Sequence, residues 1–292
     1  MILSFHPCFT ADENRLCAGR RPDADDLAAI RRADAVILPQ GASGLLYQMA
    51  AANCPLVFPN YRARFACPGK SGQIKLFRET ETPHPQTWLY SGLAEYFSGT
   101  HAPFLPDGLS YPCVWKFDWG GEGENVRFLK GPPDLEKALA WAETYERSGQ
   151  YGFLLQRFVP ADNCSLRVVV MGEKMLSYWK KQTNPDCLCA GIAGGAKVDQ
   201  HSAPELQEIG RQRVLHFCGK SGIDLAGIDL LFSCYGNGAD PLLLEINYFF
   251  GRKGLGGSLA YYKLLESAIT EWIDQNGLPR PAACLEAGHE QI

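Results

Sequence analysis

Two periods of apolar residues run through the chain. Alternation and short apolar blocks predict strands over residues 113–117, 153–159, 165–171, 174–181, 227–233 and 241–247. Helical spacing predicts helices over 43–53, 133–147, 201–220 and 258–276. In the second of these Leu135, Leu139, Ala140 and Trp141 should face inward; in the third, Ile209, Val214, Leu215 and Cys218. Near the start, apolar runs at 34–39 and 55–59 flank the first helix, which predicts a small lobe with a short parallel sheet. Gln40-Gly41, at the carboxyl end of one run, stands where ligands lie in such sheets, although a structural turn explains it as well. Prolines 68, 83, 85, 103 and 106 mark the passage into a second lobe, and the tail beyond Pro281 is expected to be loose.

Charge appears inside two of the apolar strands. Residues 234–240 are rich in turn formers, so 227–233 and 241–247 should fold back as an antiparallel hairpin. With Asn237 at the midpoint, Asp229 lies opposite Glu245. Asn247 shares their face, while Ile228, Leu230, Leu244 and Ile246 point to the other side. Opposed carboxylates repel each other unless something positive lies between them, and Mg²⁺ is suited to one or two carboxylates plus substrate phosphates. A solvated sheet face bearing ordinary acids is the competing explanation.

In the middle of the chain, the strand 113–117 carries Lys116 and leads into Gly120, Gly121 and Gly123. Glycine lets backbone amides approach phosphate oxygens, and a neighbouring lysine supplies charge, yet such turns also join strands with no ligand. Gly69-Lys70-Ser71 and Gly219-Lys220-Ser221 carry only the end of a phosphate-binding Walker loop. Arg64 and Val214 stand where its first glycine belongs, so that motif is rejected. A further hairpin turning at Gly172-Glu173 places Arg167 opposite Tyr178 and Ser165 opposite Lys180. Arg167 and Lys180 then line one basic face and Lys181 points away. This face suits phosphates, and taken alone it suits a solvated exterior too.

In their order along residues 70–275, these pieces resemble the ATP-grasp superfamily, and within it the RimK-like carboxylate–amine ligases. The resemblance implies an α/β (α+β) ATP-grasp fold: an N-terminal lobe over 1–82, a glycine-loop lid lobe over 83–180, a C-terminal core lobe over 181–282 and a tail over 283–292. It implies that Lys75 and Lys116 contact ATP phosphates and that Gly120, Gly121 and Gly123 form the lid. Gln156, Arg157, Phe158 and Val159 become the hinge that grips adenine through backbone groups. Arg167 and Lys180 act on the triphosphate or acyl phosphate, and Asp229, Glu245 and Asn247 hold Mg²⁺, with Mn²⁺ as the alternative ion.

The chemistry implied is activation of a small-molecule or peptide carboxylate by ATP as an acyl phosphate, followed by attack of an amine. No protein nucleophile is required, because phosphoryl transfer rests on positioning and charge neutralisation. A small-molecule kinase on the same fold and a non-catalytic ATP-binding protein remain as alternatives. The chain departs from the family pattern at Arg157, where an acid is common, and at Ser165, where an aspartate is common. Glu122 and Glu124 add negative charge to the glycine loop, and Tyr248-Phe249-Phe250 replaces a small residue and proline after Asn247. The last change alters the acceptor pocket.

The 292 residues suffice for two or three lobes with substantial cores. A net charge of −4 without a long basic run argues against a nucleic-acid partner. No apolar stretch reaches membrane-spanning length and no signal segment opens the chain, so a cytoplasmic location is expected, free or as a homo-oligomer. The 11 cysteines are expected to be reduced; Cys113, Cys218 and Cys234 sit in apolar segments, and Cys187 and Cys189 lack a second pair for zinc.

Overall fold

The computed structural model describes residues 1–99, 101–120, 125–182, 195–233 and 240–281. Gly121, Gly123, Glu122, Glu124, Cys187, Cys189, Cys234, the segment 191–194 and the tail lie outside these residues.

The N-terminal lobe contains β1 (Ile2–Ser4), β2 (Glu13–Asn14), α1 (Ala24–Arg32), β3 (Ala35–Ile37), α2 (Gly44–Asn53), β4 (Leu56–Phe58) and α3 (Arg62–Ala66). Its four strands are all parallel in the order β2-β1-β3-β4. Both faces of this sheet are covered, so β1 and β3 are uniformly apolar or small. The Ser43 side chain caps α2 through the Leu46 amide.

Next come α4 (Gly69–Glu79), β5 (Thr87–Tyr90), α5 (Leu93–Ser98), β6 (Cys113–Phe117), β7 (Val126–Leu129), α6 (Pro132–Arg147) and β8 (Phe153–Arg157). The four strands form an antiparallel lid sheet in the order β5-β8-β6-β7. Its core joins Trp115, Phe117, Phe153 and Leu155 to α6. On α6 the inward residues are Leu135, Ala138 and Ala142; Ala140 is exposed, and Leu139 and Trp141 are half-buried. The apolar stripe is therefore rotated by one or two positions from the expected one, because small alanines take the closest approach.

The C-terminal lobe contains β9 (Cys164–Met171), β10 (Lys174–Lys181), β11 (Lys197–Asp199), α7 (Pro204–Ser221), β12 (Leu225–Leu231), β13 (Leu242–Asn247), a 3₁₀ turn at Lys253–Leu255 and α8 (Ser258–Gln275). Its sheet runs β11-β10-β9-β12-β13. The β9–β10 hairpin, expected within the lid lobe, is bonded into this five-stranded sheet. On α7, Val214, Phe217 and Cys218 are buried, whereas Ile209 and Leu215 are 37% and 49% exposed, contrary to expectation. Gly254 lies flat on the Tyr178 ring, where an added Cβ would come within 2.2 Å of the ring.

One face of the large sheet packs Leu166, Val168, Ile228, Leu230 and Ile246 against Ile74, Phe77 and Phe217. The opposite face is apolar beneath α8, through Val169, Met171 and Leu225, and charged at Arg167, Lys180 and Asp229. Strand alternation separates a structural face from a chemical one.

Candidate active site

The paired hairpins keep the expected registers. Asp229 is opposite Glu245, Arg167 is opposite Tyr178, and Lys180 is opposite Ser165. Strand β9 also lies beside β12, with Arg167 directly across from Asp229. Arg167 donates to both carboxylate oxygens of Asp229, at 2.7 Å from Nε and 2.6 Å from Nη2, and Lys180 Nζ donates at 2.8 Å. The Asn247 amide adds a longer bond of 3.3 Å. Arg167, Lys180 and Asp229 are all at least nine-tenths buried.

The positive charge that offsets Asp229 is thus protein charge. Burial would raise the Asp229 pKa, but Arg167 and then Lys180 hold it below its ordinary value. Burial likewise opposes the charge on Arg167, and the Asp229 carboxylate raises its pKa nonetheless. The inference that opposed acids demand a metal is therefore corrected. Asp229 already takes four hydrogen bonds, and Glu245 and Asn247 are the half-buried oxygen donors left on the face. This pair suits a hard cation that brings its own phosphate oxygens and waters, so Mg²⁺ fits at Glu245 and Asn247, with Asp229 behind them. Among the described residues no cluster of three or more His, Cys, Asp or Glu offers a metal site.

Between the lid sheet and β13 lies a narrow cleft lined by Lys70, Gln73, Lys116, Gln156, Leu244 and Glu245. Lys116 arrives on β6 as expected. Gln156 is on β8, an inner strand, so its backbone serves the sheet and its buried amide donates to Thr87 Oγ1 at 2.9 Å. Arg157 is exposed, with its backbone amide given to Gln86 and its side chain to Gly108. Phe158 and Val159, which follow β8, are half-buried.

Lys75 does not line the cleft; it is exposed, and Lys70 is the residue of α4 that supplies a lysine to the cleft lining. Five residues rotate a helix by about 140°, so α4 cannot present both lysines to one side. Lys70 Nζ reaches the carbonyls of Trp119 and Gly120 at 3.2 and 2.9 Å. Burial lowers its pKa, against the pull of Glu245 and Asp118. The same lid segment caps α4, since Asp118 Oδ1 accepts from Ser71 N at 2.6 Å. Gly69 accommodates this contact with a φ of +72°, and a Cβ there would stand 2.8 Å from the same oxygen.

Leu244 faces the cleft instead of the core. A bulge between Asp229 and Leu230 pairs Leu230 with Leu243, so Leu244 and Glu245 both turn to the cleft. Gln73 grips the edge of β13 beside it, donating to Ile246 O at 2.9 Å and accepting from Ile246 N at 2.8 Å. Lys70, Gln73 and Leu244 were missed from sequence. Lys70 was visible only as part of the rejected Walker fragment; helical spacing of 70, 73 and 74 was the available signal. Gly120 stands at the mouth of the lid with a φ of +80°. Ser165 Oγ, on the Arg167 face, is buried with no hydrogen-bond partner, an orphan that a ligand could satisfy.

The arrangement of these sheets and helices is similar to that of solved structures. No family model matches the chain, and no curated protein matches it either. A RimK-domain ATP-grasp protein from Sphaerobacter thermophilus superposes with a TM-score of 0.58 at 14% identity, over 91% of this chain and 98% of that one. The chain has the ATP-grasp fold. The D-Ala:D-Ser ligase VanG from Enterococcus faecalis gives a TM-score of 0.57 at 15% identity, over 82% of this chain and 72% of that one. An N5-carboxyaminoimidazole synthetase from Staphylococcus aureus complexed with ADP gives 0.57 at 10% identity, over 85% of this chain and 63% of that one. The chain thus spans less than two thirds of that synthetase and nearly all of the RimK-domain protein.

The seven described cysteines are free thiols, and burial pushes Cys113 up to about 11 and Cys218 up to about 12. Among the described residues no helix is long and apolar enough to cross a membrane.

Proposed function

We propose that the protein is an ATP- and Mg²⁺-dependent ligase of the RimK-like kind, which joins a carboxylate to an amine. The observation that carries this reading is the arrangement of Arg167 and Lys180. Both are buried and fixed by Asp229, on the face that also carries Glu245 and Asn247. Preorganised cations are what an acyl phosphate and its transition states require. Neighbouring ATP-grasp ligases and the ADP complex support the nucleotide and the reaction class.

In this scheme Lys70 and Lys116 bind the phosphates, and Gln156 closes the base end of the cleft. A substrate carboxylate oxygen attacks the γ-phosphorus and ADP departs. The amine nitrogen then attacks the acyl carbon, phosphate leaves and the amine proton is lost. Arg167 and Lys180 stabilise the charge that develops on the transferred group. Mg²⁺ supplies charge neutralisation at the phosphate oxygens, and Glu245 with the Asn247 amide oxygen would hold it. Asp229 positions Arg167 and Lys180. A soluble cytoplasmic enzyme acting on small or peptide substrates, without nucleic acid, completes the proposal.

Calorimetric titration with ADP, with and without Mg²⁺, tests the site. Binding should require Mg²⁺, and Glu245→Gln should remove most of the Mg²⁺ dependence while leaving the fold intact. Equal affinity with and without the ion in the wild type would overturn the metal assignment. Release of ADP only when carboxylate and amine are both present marks a ligase; a stable phosphorylated acceptor would mark a kinase.

A further inference from the structure

Gln40-Gly41 follows the carboxyl end of β3 in the N-terminal sheet. Arg64, on α3, sits beside that end. Its guanidinium is surrounded by four aromatic rings, with centroids at 4.7 Å for Phe249, 4.8 Å for Tyr61, 4.8 Å for Phe65 and 6.0 Å for Tyr248. Nη1 donates to the Gln40 carbonyl at 2.9 Å, and Gln40 is itself tied to the Tyr248 carbonyl through Nε2 at 2.8 Å. Gly41 lies under Phe249, 3.9 Å from the position of an added Cβ.

No carboxylate among the described residues lies within ion-pair distance of Arg64. Burial lowers its pKa, the direction expected of a cation that has lost water without gaining a counter-charge. Arg64 is half-buried; a cation drawn partly out of water is ordinarily paired, and the rings offset only part of the cost of leaving it unpaired. Contrast Arg167, whose guanidinium is paired with Asp229 through two hydrogen bonds. Phe250, the next residue after Phe249, crowds Gly227 together with the Arg167 side chain, at 3.1 and 3.2 Å from the position of an added Cβ, and this links the half-satisfied cation to the charged face of the large sheet.

The geometry points to Arg64 and its aromatic surround as a substrate-specificity site that takes the carboxylate of a small molecule with an aromatic or bulky apolar body. The inference rests on the proposed ligase site and names its substrate class. The guanidinium fork reads the carboxylate edge, and Phe249, which is 63% exposed, covers the body. The anchored carboxylate is distinct from the one activated, because pairing with a guanidinium makes an oxygen a poor nucleophile. The substrate therefore carries its reacting group toward Arg167 and this second, spectator carboxylate toward Arg64.

Calorimetric titration of the full chain with phenylacetate, acetate, 2-phenylethylamine and inorganic phosphate tests the inference, with ADP titrated in parallel. Phenylacetate should bind more tightly than the other three. Arg64→Gln should weaken it about tenfold or more, and Arg64→Lys should recover only part, since a lysine lacks the planar fork. Phe249→Ala, at an exposed position, should weaken phenylacetate by roughly fivefold while leaving acetate unchanged. ADP affinity should be the same in all three variants. Phenylacetate affinity unchanged in Arg64→Gln, or failure of the folded wild type to bind it, would overturn the assignment; so would tighter binding of phosphate. Failure of ADP to bind the wild type would sink the nucleotide reading alone, with the phenylacetate result still standing.

Discussion

Two aspartates at opposite ends of one strand face opposite fates. Asp229, inside β12, is met by Arg167 and Lys180, and its pKa is held below the ordinary value against burial. Asp224, just before β12, sits at the joint with the N-terminal lobe and accepts from Asn60 N at 2.8 Å. Around it lies a depression lined by Tyr47, Asn60 and Trp272, with no cation paired to it among the described residues. Burial pushes its pKa up to about 7. The same residue type, fully buried in one case and half-buried in the other, is a fixed charge where cations converge and a near-neutral titrating group where they do not. Placement of countercharge decides which carboxylate belongs to the chemistry.

The sharpest way to break this comparison is to remove the fixed charge. Asp229→Ala would leave two buried cations without their partner and should cost about 3–5 kcal/mol in denaturant unfolding. A loss below about 1 kcal/mol would mean that water reaches the cluster and screens it.

The second prediction concerns the lysines that line the cleft. Lys70→Met and Lys116→Met should each weaken ADP by about tenfold or more, as expected when a charge-assisted bond is lost. Lys75→Met should leave ADP affinity unchanged, since its side chain faces solvent. If Lys75→Met weakened ADP as much as Lys70→Met, the placement of α4 over the cleft would be wrong.

The smallest effect is expected at Asp224, and it depends on pH. A folded-state pKa raised above 3.8 to about 7 means that the native state keeps a proton that the unfolded chain has already lost. The stability contributed by this group is therefore full below about 3.8 and falls as pH rises toward 7. Asp224→Asn keeps an acceptor for Asn60 N without the charge, so it should stabilise the protein at pH 8 by about 1 kcal/mol and change little at pH 4. Asp229 has the opposite sign: its contribution is full above 3.8 and is lost as pH falls through its depressed pKa. Thermal unfolding of the variant at both pH values checks the first half, and equal shifts at pH 4 and 8 would contradict it.

Much of the site was legible because strand alternation and turn position are local. The pairing of Asp229 with Glu245 and of Arg167 with Tyr178 follows from where the chain turns and from a side-chain period of two. Helix ends were legible within a few residues, as at 43–53 and 258–276. The bulge beside Asp229 was not, and it moved Leu244 from the core to the cleft. Inward positions on α6 and α7 shifted for a similar reason, since which part of an apolar stripe is buried depends on what it packs against.

The sequence by itself determined the register of the β9–β10 hairpin, the pairing of Asp229 with Glu245 and the face on which Arg167, Lys180, Asp229, Glu245 and Asn247 stand, all of them consequences of spacing along one segment. Only the tertiary structure decided that Arg167 and Lys180 neutralise Asp229, that Lys70 rather than Lys75 enters the cleft, and that Arg64 is caged beside Phe249. Those facts depend on distances between elements far apart in the chain, and no local period encodes them.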